Sequence, residues 1–144
     1  MDASYSVFPE SAYVLETYRG TVRYNNLMNL FARQARDRRL GLCQHTVMDF
    51  TKATLALSGE EVRIIADTVG LRSAMPRKYA MVIVNARNFA IASLFETYLS
   101  RDSHAVRCFH SRAAALRWIA PDCAADAESD RRESSETQCV NVEA

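Results

Sequence analysis

Three groups of residues in this 144-residue chain combine side chains and spacings suited to chemistry. They are Asp49, Thr51 and Lys52; then Asn85, Arg87 and Asn88; then His110, Ser111 and Arg112. Each follows a short apolar run, and clusters of mixed charge suit an anion or the backbone of a partner. Ser58 stands apart and opens the run Ser-Gly-Glu-Glu. That is a capping box, in which Ser58 accepts from the amide of Glu61 and the Glu61 side chain reaches back. A Ser58–His110–Asp49 triad can be assembled on paper, but no GxSxG elbow surrounds the serine. Glu60 and Glu61 are paired carboxylates, yet adjacent helical residues do not face each other. His45 falls within a strand and His104 in a turn. These features point away from an enzyme.

The cysteines, Cys43, Cys108, Cys123 and Cys139, form no CxxC, and no histidine stands at zinc-finger spacing from a pair. Neither a metal nor a cofactor is expected. Cys43 and Cys108 lie in apolar strand-like runs, where a free thiol serves as a small hydrophobe. A chain without a disulfide framework fits the reducing cytoplasm.

The elements that must position these residues alternate in period. Residues 4–8 and 12–18 are short β-branched and aromatic runs around Pro9-Glu10-Ser11, which predicts an antiparallel pair. Residues 22–40 place Tyr24, Leu27, Met28, Phe31 and Ala35 on one stripe, an amphipathic helix that Gly41 stops. Residues 42–50 read as a strand, and Ser58 then opens a helix with Val62, Ile65, Ala66 and Val69 inward. The run 79–85 is apolar enough for a central parallel strand covered on both faces. Asn88 is placed to cap the following helix, with Ile91, Leu94, Phe95, Tyr98 and Leu99 on its stripe. Residues 105–109 form a last strand, and Ser111 caps a last helix. The order β-β-α-β-α-β-α-β-α predicts an α/β fold with a mixed, mostly parallel sheet. In open sheets of this kind ligands bind outside the carboxyl ends of the strands. All three polar groups would gather there.

Composition bounds the rest. Residues 1–120 carry 16 Lys and Arg against 10 Asp and Glu, and residues 121–144 carry 2 against 7. From Pro121 onward there is no Leu, Ile, Phe, Trp or Tyr, so residues 1–120 are expected to be one domain and 121–144 a disordered acidic tail. The net charge of +1 argues against a general nucleic-acid binder. No apolar run approaches the ~18 residues of a membrane helix, and the first ten residues do not read as a signal peptide. The arginine-bearing helix 22–40 could pair two copies as a homodimer.

The element order, with KYAMVIVNARNF at the central βα turn and VRCFHSRAAALRWI at the close, resembles the SpoIIAA-like family of the STAS/SEC14-type fold. The resemblance spans about residues 4–119. It implies a bacterial, non-enzymatic regulatory module that contacts an unknown protein partner. Anti-sigma-factor antagonists of that group carry a phosphorylatable Ser or Thr where Ser58 falls, although Leu57 rather than Asp precedes it here. SEC14-type relatives instead imply a carrier or sensor of a small apolar or lipid-like anionic ligand. Phe31, Phe89, Ile91, Phe95 and Tyr98 would line its cavity, with Arg87 or Lys52 on the head group.

Overall fold

The computed structural model describes residues 2–42, 45–71, 77–102, 104–121 and 139–143. The chain runs β1 (Asp2–Phe8), β2 (Tyr13–Val22), α1 (Tyr24–Gln34), β3 (His45–Leu55), α2 (Gly59–Leu71), β4 (Lys78–Val82), α3 (Ala86–Leu99), β5 (Ala105–Phe109), α4 (Arg112–Ile119) and β6 (Cys139–Glu143). Short 3-10 turns at Pro9–Ser11, Arg38–Leu42 and Ser100–Asp102 join some of them. The fold is α/β around a mixed sheet, as the alternating periods predict.

Strand order is β5-β4-β3-β2-β1, extended at the β1 edge by β6. Pairs β2–β3, β3–β4 and β4–β5 are parallel; β1 is antiparallel to both β2 and β6. Each crossover therefore steps one strand in the same direction. Right-handed connections of that kind put their helices on one face, and α1, α2 and α3 share one core with the inward residues of the sheet. The opposite face packs on α4 through Tyr13, Val47, Ala80, Val82, Ala115 and Ile119. The consecutive order also removes any reversal among the parallel strands. The crevice that such a reversal opens at the carboxyl ends is consequently missing.

Several boundaries differ from the sequence reading, each for a local reason. Helix α1 ends at Gln34 rather than near residue 40. There Asp37 accepts from the Tyr5 hydroxyl at 2.9 Å and from Arg39 Nη2 at 2.7 Å, tying the turn to β1. Strand β3 continues to Leu55 because Thr51–Leu55 alternates: Ala53 and Leu55 are buried while Lys52 and Thr54 are exposed. Its extension pairs with Arg19–Val22 of β2 beyond a register shift, where Gly20 takes φ 81°. That left-handed conformation favours glycine. Asn85, not Asn88, caps α3, its side chain accepting from the Asn88 amide at 2.8 Å.

Residues 139–143 form an edge strand, where composition predicts disorder. The run Cys-Val-Asn-Val-Glu has period two, and an unpaired β1 edge offers it a row of backbone donors and acceptors. The rest of the acidic tail, 122–138, lies outside the described residues, as does Cys43. Among the described residues no helix is long and apolar enough to cross a membrane.

Candidate functional site

At the carboxyl ends of the parallel strands Asp49 bonds to Arg112 and Asn88 bonds to the backbone of β3. Asp49 pairs in register with Val82, the last residue of β4, while β3 runs six residues further. Its carboxylate is buried and accepts from Arg112 Nη2 at 2.8 Å, Arg112 Nε at 3.1 Å and the Thr51 amide at 2.9 Å. Burial pushes the Asp49 carboxyl upward, but the Thr51 amide and hydroxyl and the Arg112 guanidinium outweigh it and hold it below the usual value. This ion pair fastens the start of α4 to the middle of β3.

Asn88 is wholly buried, and its amide group bridges α3 to β3. It accepts from the Leu55 amide at 2.9 Å and donates to the Ala53 carbonyl at 2.9 Å. Ser58 forms the capping box that its spacing predicts: Glu61 N donates to Ser58 Oγ at 3.1 Å, and Ser58 N to Glu61 Oε1 at 2.9 Å. Ser111 caps α4 through the Ala114 amide at 3.2 Å. Thr51, Lys52, Arg87 and His110 are exposed. Among the described residues no hydrogen bond joins His110 to Asp49 or Ser58, so the triad does not assemble. Asp49, Ser58, Asn85 and Asn88 thus hold the backbone together, and Thr51, Lys52, Arg87 and His110 are each open to solvent. Val84 and Phe89, at the start of α3, are 55% and 52% exposed. They occupy the positions before the cap and at the fourth residue of α3, where a hydrophobic staple forms.

The second region is the cavity that the family resemblance implies, with a polar wall that the sequence reading did not single out. Between the sheet and α1–α3 lies a cavity of about 80 Å³. Its walls are mainly apolar, among them Phe31, Met48, Phe50, Ile65, Phe95, Leu99 and Val106, but Glu16, Gln34, Thr46 and Arg77 also line it. Gln34 ends α1, Thr46 is the second residue of β3 and Arg77 immediately precedes β4. The polar wall therefore sits toward the amino ends of the parallel strands, opposite to the expected site. Of the five aromatic and aliphatic residues expected to line a cavity, Phe31 and Phe95 do so. Ile91 and Tyr98 pack against the core, and Phe89 faces outward. Arg87 and Lys52 are absent from the lining.

Glu16 is 3% exposed and accepts from the Tyr18 hydroxyl at 2.7 Å and from Gln34 Nε2 at 2.6 Å. Burial, and then the neighbouring Glu16, push the Tyr18 phenol well above its ordinary value. Tyr18 stacks on Phe50 with ring centroids 4.7 Å apart, fixing the phenol that holds the carboxylate. The signal for Glu16 was present in the strand pattern: it shares parity with Val14 and Tyr18 and so points inward with them. Gln34 likewise falls three residues after Phe31 on the α1 stripe.

Among the described residues no group of three His, Cys, Asp or Glu could hold a metal ion. Cys108 is half-buried against the core, and burial, with Glu96 nearby, pushes its thiol up. In comparisons with known proteins, no family model, curated protein or solved structure matches the chain.

Proposed function

We propose that this chain is a non-enzymatic, cytoplasmic binding module of SpoIIAA-like (STAS/SEC14-type) character that takes a small, largely apolar ligand. The cavity under α1–α3, with its one polar wall, carries the reading. At about 80 Å³ it is well below the ~300–1,000 Å³ of ordinary ligand pockets, which argues against a two-chain lipid. It suits a molecule of a few heavy atoms, and Met48 and Met81 can adjust around one. The polar wall holds both a carboxylate and a guanidinium, so a charged ligand would meet a like charge on burial. A neutral hydroxyl-bearing ligand fits better than the anionic one the resemblance implies. A sensor or carrier needs no catalytic group, and the carboxyl-edge residues supply none.

Titration of the isotopically labelled chain with isobutanol and phenol tests this. Shifts confined to Met48, Met81 and Val106, with saturation, are expected. Shifts spread over the surface, or centred on Val84 and Phe89, would contradict it.

The exposed Val84 and Phe89 favour a second reading, a protein contact at the carboxyl edge beside Arg87 and Lys52. It corresponds to the regulatory interaction module that the family resemblance implies. It would be supported if Phe89→Ser abolished binding to a defined protein partner while leaving the phenol response intact.

A further inference from the structure

Strand β4 lies between β3 and β5, and the amides of its first residue and of the residue just before it are held by imidazoles from the two sides. Arg77 N donates to His104 Nδ1 at 3.0 Å, and Lys78 N donates to His45 Nδ1 at 3.1 Å. His104 is 5% exposed, sits edge-on to Tyr79 with centroids 5.7 Å apart, and is anchored through its own amide to the Leu99 carbonyl at 3.3 Å. His45 is the first residue of β3, and its amide donates to the Ala12 carbonyl at 3.1 Å. A backbone N–H can only donate, so each ring must offer Nδ1 as an unprotonated acceptor and carry its proton on Nε2. Protonation places a donor opposite a donor at both positions at once.

We propose that His45 and His104 form an acid-released latch on the wall of the cavity. Arg77 and Tyr79, which the latch positions, both line that cavity. Imidazole is the side chain that gains charge just below neutrality. Release frees the start of β4 and loosens the polar wall while the interior of the sheet stays paired. The ionisable groups of the surrounding elements include Arg77, Lys78 and Tyr79 at β4, Tyr13 opposite His45 in β2, Glu96 and Tyr98 in α3, Arg101 in the turn before His104, and Arg107 and Cys108 in β5. The inference rests on the cavity reading for its consequence, but the latch itself does not require a ligand.

Amide exchange in the ligand-free full-length chain, followed by NMR, tests the latch. Protection of the Arg77 and Lys78 amides is taken relative to Met81 within the same strand, which removes the intrinsic pH dependence of exchange. That ratio should fall by about tenfold or more between about pH 8 and about pH 5. In a His45→Asn, His104→Asn double variant, whose Asn Oδ1 accepts at every pH, it should stay constant. An unchanged ratio in the natural chain, or an equal fall in the double variant, would overturn the latch. Long-range proton–nitrogen spectra of the two rings give a readout without substitution, and an Nδ1–H tautomer at about pH 8 would also overturn it. Phenol affinity at the two pH values separates the two ideas. Weaker binding in acid, abolished by the double variant, supports both; no binding at either pH sinks the cavity reading and leaves the exchange result standing.

Discussion

The two ends of the parallel strands set their polar residues in different surroundings. At the carboxyl ends, the buried Asp49 and Asn88 are satisfied by Arg112, Thr51 and the backbone of Ala53 and Leu55. They join elements to one another. At the amino ends, Glu16, Gln34, Thr46 and Arg77 form one wall of an otherwise apolar cavity. A polar cluster near strand ends is therefore a poor guide to function until its hydrogen bonds are counted. Strand order decides which end has space. With β2 to β5 in consecutive order, three helices stack on one face and leave room beneath themselves rather than in a crevice at a reversal.

Substitutions at the two ends should therefore behave differently. Phe95→Ala enlarges the existing cavity and should cost about 3 kcal/mol, the low end for a buried Phe. Urea unfolding gives that number, and phenol binding should change as well; lost stability with unaltered binding would make Phe95 plain core. Asn88→Ala should cost about 2–3 kcal/mol, because the Leu55 amide and Ala53 carbonyl both lose a buried partner. Ligand response should persist, and its loss would blur the distinction between the ends.

Asp37→Asn gives a smaller effect with a pH signature. The Arg39 side chain holds the Asp37 carboxyl down to about 2, with Tyr5 assisting against the opposing effect of burial. A folded value below the unfolded one contributes stability above about pH 4, lost as pH falls towards 2. The exposure of Arg39 limits the contribution to about 1 kcal/mol at neutrality. The variant should therefore lose stability at pH 7 but not at pH 2, and an equal loss at both would contradict the assignment.

Ser58→Ala should cost about 1 kcal/mol, the usual value of a lost N-cap, and leave binding unaltered. Lys52→Ala and Arg87→Ala should stay within about 0.5 kcal/mol, as exposed substitutions do. A larger effect on phenol binding at either would move the site back to the carboxyl edge.

Much of the fold was legible because its signals are local. The Ser58 and Ser111 caps, the inward stripes and the mixed sheet follow from short-range spacing. The misread boundaries depend on distant partners. Helix α1 stops where Asp37 meets Tyr5, 32 residues earlier, and β3 extends only because β2 continues through Gly20 beside it. Asn88 reads as a helix cap by type, yet its bonds go to residues 33 and 35 positions back. Glu16 shows the opposite case: strand parity points it inward, but only the packed helices reveal the Tyr18 and Gln34 donors and the cavity. Strand β6 was hidden because the composition of the whole tail outweighed a five-residue alternation.

Native mass spectrometry of the freshly purified full-length chain, set against its denatured mass, tests the central claim most directly. The expected result is a small mass excess that is lost on denaturation, persists in a Lys52→Ala, Arg87→Ala double variant and disappears when Leu99→Trp fills the cavity. An excess that persists in Leu99→Trp, or one lost with Lys52 and Arg87 instead, would contradict it.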